Sequence, residues 1–309
     1  MKISVQTGTV VYECGFEKGY RLIRDAGFEA VDWNIDNLWD AQRIRNGNLN
    51  GHCCLAESFD AAMEETAFER RQIKENGLEI TQAHAPFPAY VFGCPESLDY
   101  AVNVYKNCIR LCDEVECKNL IIHGITAPAW SGKEQHELAD ALNDALYTAL
   151  VPELQSSSVC VCLENLFVKS ERICRHGVCS DPHEAMNCID RYNALAGKEC
   201  FGLCFDTGHL NLLHGDFYRY TALLGGRIKA LHIHDNDGED DEHLAPFTGS
   251  INWPAFCECM RNIGYSGDLS FETFQQTTMN RLGDERMVTA YLRTIREAGT
   301  LFRERILAK

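Results

Sequence analysis

The sequence predicts a (β/α)8 TIM barrel, and three observations predict it. Short apolar runs alternate with amphipathic stretches along all 309 residues, giving eight β/α units, the number that closes such a barrel. Four of the apolar runs end in a metal-ligand side chain: CVCLE at Glu164, GLCFD at Asp206, KALH at His232 and LSFE at Glu272. The intervals between them are 42, 26 and 40 residues, each enough for a strand, a helix and their loops. Side chains alternate faces along a strand, so the residue two before each ligand shares its side. Those residues, Cys162, Cys204, Ala230 and Ser270, are all small, whereas Leu163, Phe205, Ile233 and Phe271 between them are bulky and suit a face packed on helices.

The elements follow in order. Strand one is Ile3 to Gln6, and a helix from about Glu17 to Ala26 stops at Gly27, a residue suited to a helix C-terminus. Strand two, AVDWNI, leads into a polar excursion from Asn37 to Gly51 and then a helix to about Glu75. Strands three and four are LEITQAH, ending at His84, and NLIIHG, ending at His123. Strands five to eight carry the ligands. Helices are expected at Leu98 to Asp113, Lys133 to Leu154, Asp181 to Leu195, Phe217 to Leu224, Trp253 to Ile263 and Glu285 to Ile306. Asp181-Pro182 marks one start, an N-cap followed by proline in the first turn. No linker, repeat or low-complexity tract divides the chain, which reads as one domain over residues 1–309.

Composition narrows the function. The formal charge is −16, from 45 acids and 29 bases, and no Lys/Arg cluster offers phosphates a local foothold, so nucleic acid is an unfavoured partner. No signal peptide and no membrane-length apolar run is evident, which predicts a cytoplasmic protein without a membrane partner. Sixteen cysteines form no paired framework and no C-x-x-C; on apolar elements they act as small hydrophobes and are expected to be reduced. Cys53 and Cys54, in a polar segment, are expected to be the most exposed.

Two glutamates, an aspartate and a histidine at the carboxyl ends of consecutive strands form an oxygen and nitrogen set suited to one divalent ion, Mn, Mg, Co or Zn. Of eleven histidines, His84, His123, His209, His232, His234 and His243 fall at or beyond strand ends, whereas His52, His136, His176, His183 and His214 are expected on the surface. DNDGEDDEH after strand seven carries six acids, the opposite of a phosphate cradle, and a charge run of this kind reads first as solvated surface.

Taken together, HAPF, IIHG, CLEN, FDTGH, LHIHD, DEHLAPFTGSINW and SFET resemble the xylose-isomerase-like barrel superfamily over nearly the whole chain. That superfamily includes sugar isomerases, ketose 3-epimerases, inosose dehydratases and endonuclease IV. The resemblance implies a metal-dependent sugar or cyclitol isomerase or epimerase, with carbohydrate as substrate and manganese among the expected metals. By motif the metal quartet falls on Glu164, Asp206, His232 and Glu272; His232 is chosen over His234 because ligands of the family are followed two or three residues later by a polar or acidic residue, as in HIHD, and because its strand neighbours are apolar. Glu164 and Glu272 are then the catalytic pair, exchanging a proton with carbon through an enediolate. His84, His123, His209, His243 and Asp241 are expected to bind substrate. Glu171, in ENLFVKSE, lies one residue out of step with a substrate-binding glutamate of epimerase relatives. A lyase or dehydratase of the same fold and a non-catalytic sugar-binding subunit are alternatives, and the sequence leaves open assembly into a homo-oligomer. A further alternative is an endonuclease IV-like repair enzyme, whose nine ligands to three metals would fall on His84, His123, Glu164, Asp206, His209, His232, Asp241, His243 and Glu272.

Overall fold

In the computed structural model, which describes residues 1–88, 90–128, 130–171, 173–273 and 282–308, the predicted strands form one parallel sheet. They are β1 (Ile3–Gln6), β2 (Ala30–Asn34), β3 (Glu79–His84), β4 (Asn119–Ile121), β5 (Cys160–Glu164), β6 (Phe201–Asp206), β7 (Ile228–His232) and β8 (Leu269–Phe271). Their order is β8-β1-β2-β3-β4-β5-β6-β7. The barrel closes between β7 and β8, where the Ile233 amide donates to Ser270 O and the Glu272 amide donates to Ile233 O.

Strand alternation fixes what lies inside. One interior layer consists of Ser4, Asp32, Gln82, Ile121, Cys162, Cys204, Ala230 and Ser270, all buried. Two residues further along each chain stand Gln6, Asn34, His84, His123, Glu164, Asp206, His232 and Glu272, so every strand brings a polar side chain to the same rim. Apolar contact joins Ile121, Cys162, Cys204 and Ala230 on one side of the interior. On the other, Asp32 Oδ2 accepts from Gln82 Nε2 at 2.6 Å and from Ser270 Oγ at 3.2 Å. Leu163, Phe205, Ile233 and Phe271 point outward and are buried under helices, with Phe205 against Tyr220 and Phe271 against Phe302.

The outer helices follow the expected positions closely, from Phe16–Ala26 to Glu285–Leu307. The first ends at Gly27, whose φ of 94° is left-handed and whose amide bonds back to the last turn. Asp181 caps Pro182–Ala196 by accepting from the His183 and Glu184 amides. Among the described residues no helix is long and apolar enough to cross a membrane.

Three expectations are corrected. The stretch before Glu75 is three helices, Cys54–Glu57, Phe59–Glu65 and Ala67–Glu75; Ser58 is extended and its hydroxyl caps the second, which interrupts the first. Cys53 and Cys54 are buried because their helix packs under Glu96–Glu114, where Asn107 Nδ2 donates to Leu55 O. The acidic loop is only partly solvated: Asp237, Glu239 and Asp240 are exposed, but Asp235 is fully buried. Asp235 accepts from the Asn236 and Ile251 amides and from Trp253 Nε1 at 2.9 Å, pinning both ends of the loop. Replacing Asp235 with alanine should cost about 2 kcal/mol by orphaning these donors. An unchanged thermal midpoint would show that the loop is held by other contacts.

Candidate active site

The four strand-end ligands meet. Ligand atoms of Glu164, Asp206, His232 and Glu272, all buried, lie within 4.8 Å of one another. His232 Nδ1 is 3.0 Å from Glu164 Oε1 and 3.5 Å from Glu272 Oε2. Its other nitrogen, Nε2, is 3.2 Å from Asp32 Oδ2 in the layer below. Asp206 is also the N-cap of the short helix Thr207–Leu212, with Oδ1 accepting from the His209 amide at 2.6 Å. That cap explains the DTGH spacing: the helix start brings His209 back over the rim.

Two further groups flank the quartet. His84, His123 and Glu164 form one, with His84 Nε2 3.0 Å from His123 Nε2 and His123 Nε2 2.6 Å from Glu164 Oε2. His209, His234, Asp241 and His243 form the other, with His243 Nε2 3.0 Å from Asp241 Oδ2. All nine side chains singled out from sequence are therefore brought together. His234 was missed as a member: its Nε2 lies 3.0 Å from both Asp206 oxygens. His232 and His234 are two apart in HIH, the spacing that puts both on one strand face, and this was the available signal.

A carbonyl can only accept, so a ring nitrogen bonded to one must carry the proton. His84 Nδ1 donates to Ala85 O, His209 Nδ1 to Asn165 O and His243 Nδ1 to Glu272 O. Each ring thus presents Nε2 to the clusters, as metal-ligating histidines do when a backbone group fixes their tautomer. Glu164 Oε2, despite its proximity to His123, makes no properly angled hydrogen bond, and among the described residues no lysine or arginine lines the cavity to offset its acids. Buried carboxylates in such numbers need cations, and the donor set fits a divalent one.

Burial shapes the ionisation. It pushes His84 down to about 3, helped by His123 and His232, so that ring is neutral. Burial would also lower His209 and His243, but the carboxylates beside them, Asp206 and Glu272 foremost, lift them to about 10 and about 9. Glu272 is raised by burial, against the pull of His232 and His243. Glu164 is equally buried yet held well below the ordinary range by His232 and His123. Two carboxyl groups in one site with opposite tendencies can divide acid and base roles.

Above the clusters lies a cavity of about 580 Å³, lined by Glu164, Glu272, His84, His123, Asp241 and His243 at its floor. Phe87, 4.4 Å from the His123 ring, and Phe167, 5.0 Å from that of His209, add apolar walls. Phe167 opens an antiparallel hairpin, Phe167–Ser170 with Ile173–His176, that the sequence did not reveal. Glu171 sits at its turn, exposed, with φ 56°, and does not line the cavity. Of the five histidines expected on the surface, all are exposed.

Comparison with known proteins agrees with this architecture. Residues 20–297 match the family described as Xylose isomerase-like TIM barrel. The chain is 25% identical over 284 residues to Uncharacterized protein y4fM of Sinorhizobium fredii, covering 85% of this chain and 82% of that one. Among solved structures, it is similar to a D-tagatose 3-epimerase-like protein, with a TM-score of 0.62, 20% identity and 96% and 99% of the two chains covered. An L-ribulose 3-epimerase gives a TM-score of 0.67 at 17% identity, covering 99% of this chain and 95% of that one. At these identities the likeness is one of fold.

Proposed function

We propose that this chain, which belongs to the xylose isomerase-like TIM barrel family, is a divalent-metal-dependent sugar or cyclitol isomerase or epimerase. The observation that carries the proposal is the convergence of Glu164, Asp206, His232 and Glu272, two of which, Glu164 and Glu272, line a cavity sized for a small molecule. The resemblance of the fold to ketose 3-epimerases supports the choice of chemistry. A divalent ion held by this quartet would stabilise negative charge developing on two adjacent substrate oxygens.

The chain's own residues account for the rest. Glu164, held ionised by His123 and His232, accepts the proton from the carbon beside the carbonyl. Glu272, whose carboxyl burial pushes upward, returns a proton to the other face. Phe87 and Phe167 keep water from the reacting carbon, while His209, His243 and Asp241 bind hydroxyls. Dehydration would differ only in expelling a β-hydroxyl in place of reprotonation. The test is incubation in deuterated water with Mn²⁺ and a panel of ketoses and inososes. Deuterium at carbon in recovered sugar or epimer is expected, and loss of water from the product would mark a dehydratase. No incorporation from any member would overturn the proton-transfer reading and leave a binding subunit.

A specific observation favours a second reading. The nine side chains fall into three ligand groups rather than one, which suits hydrolysis of a phosphate ester by three ions, as the likeness to endonuclease IV implies. Against duplex DNA stands the net charge of −16. Metal analysis separates the two, with one ion per chain expected. Three ions together with metal-dependent nicking of abasic-site DNA would transfer the assignment to the second reading.

A further inference from the structure

The rim has a second side that the proposed chemistry does not use. At the ends of β1 and β2 stand two carboxamides, Gln6 and Asn34, and next to them the carboxyl of Asp36; all three line the cavity and are half-buried. The orientation of each amide is set locally. Gln6 Oε1 accepts from the Gly8 amide at 2.9 Å, and Asn34 Oδ1 accepts from the Asp36 amide at 3.2 Å. With both oxygens engaged by backbone donors, the NH2 groups are the ends left over, and neither has a protein acceptor among the described residues.

These NH2 groups converge on one point. A β-carbon placed on Gly8 would lie 2.3 Å from Asn34 Nδ2 and 2.8 Å from Gln6 Nε2. Gly8 has no left-handed backbone requirement, so its lack of a side chain serves this space rather than its own conformation. Beside it, one oxygen of Asp36 accepts from the Phe87 amide at 3.3 Å, which leaves the carboxyl capacity for a further donor. Two donors packed against Gly8 and an acceptor lining the same cavity match one chemical group. A hydroxyl accepts twice and donates once; a phosphate or carboxylate would only accept, and would meet Asp36 with no lysine or arginine among the described lining residues to offset it.

We propose that Gln6 and Asn34, packed over Gly8, and Asp36 in the same cavity lining form a hydroxyl subsite for the end of a polyol remote from the reacting carbons, and that the substrate is an uncharged, unphosphorylated sugar or cyclitol. This rests on the isomerase or epimerase reading for which end of the substrate reacts, but the subsite itself is a binding site. Phe87 links the two regions, since its amide bonds Asp36 while its ring faces His123.

The experiment uses the full chain loaded with Mn²⁺ and measures both solvent deuterium exchange and calorimetric binding. The probes are D-fructose, D-tagatose and D-allulose, with D-fructose 6-phosphate as the charged counterpart. Gly8→Ala displaces the two NH2 groups, which the new β-carbon would crowd, and Asp36→Asn keeps the shape while removing the acceptor charge; thermal midpoints check that both fold. For the best neutral sugar, each variant should raise KM and Kd about tenfold, the effect of one lost hydrogen bond, with kcat changed much less. The phosphate ester should bind at least about tenfold more weakly than its parent sugar. Exchange with unchanged KM and Kd in both variants, or equal use of the phosphate ester, overturns the subsite and leaves the proposed chemistry standing. Absence of exchange with neutral-sugar binding that both variants weaken does the reverse. Neither exchange nor binding by the unaltered chain overturns both.

Discussion

Changing either Glu164 or Glu272 to glutamine should lower turnover by a factor on the order of 10² or more, because glutamine keeps the shape of the side chain but cannot accept a proton. The two losses should differ in origin. Glu164 touches His232 on one oxygen and His123 on the other, so Glu164→Gln also removes a charge shared by two ligand groups. Loss of metal would mimic loss of a base, and metal content must therefore be measured beside turnover. Glu272 is nearer the edge of the cluster, with Oε2 at 3.5 Å from His232 and 3.6 Å from His243. Glu272→Gln is expected to retain the ion and lose exchange at carbon, which separates base chemistry from ligation. Glu171→Gln, at the exposed hairpin turn, is the contrast and should leave kcat within about twofold, as surface changes usually do. Near-normal turnover of metal-loaded Glu164→Gln or Glu272→Gln would remove that residue from the acid/base role.

What the sequence made legible follows from strand geometry. An apolar run that ends in a ligand declares both the strand and the rim, and a period of two carries the reader inward to Cys162, Cys204, Ala230 and Ser270. Asp206 and His209 were readable because an N-cap fixes local spacing. The hairpin after β5 was not, since its strands have four residues each and its turn needs the left-handed backbone of Glu171, a residue that gives no turn signal. Gln6 and Asn34 escaped notice for another reason. Carboxamides do not titrate and belong to no ligand set, so their function appears only when their oxygens are seen to be tied down. Asp235 lay within a run of acids that sequence averages into surface, yet it anchors a loop; Asp241, in the same run, was legible only through the family resemblance, and it faces His209 and His243.

Asp32 was hidden in the same way, as one acid in an apolar strand, and its replacement should have the other large effect. It is fully buried in the barrel, and its Oδ2 faces three groups at once: Gln82 Nε2 at 2.6 Å, Ser270 Oγ at 3.2 Å and His232 Nε2 at 3.2 Å. The two hydrogen bonds hold the carboxylate still, and its contact with His232 is ionic rather than a well-aligned hydrogen bond. Nδ1 donates to Glu164 Oε1 in this structure; once a divalent ion takes the place of that proton, a carboxylate beside Nε2 would keep the remaining proton on Nε2 and leave the lone pair of Nδ1 for the ion. Asp32→Asn removes that bias, because an amide can turn either its oxygen or its NH2 toward the ring and carries no charge to support a cation above it. Metal affinity should fall about 10- to 100-fold, the range found when the outer partner of a metal-bound histidine is lost. Competition with a chelator of known affinity measures this without any assay of turnover. Unchanged affinity in a folded Asp32→Asn protein would show that His232 is oriented by packing alone, and that Asp32 serves only to fill the barrel with Gln82 and Ser270.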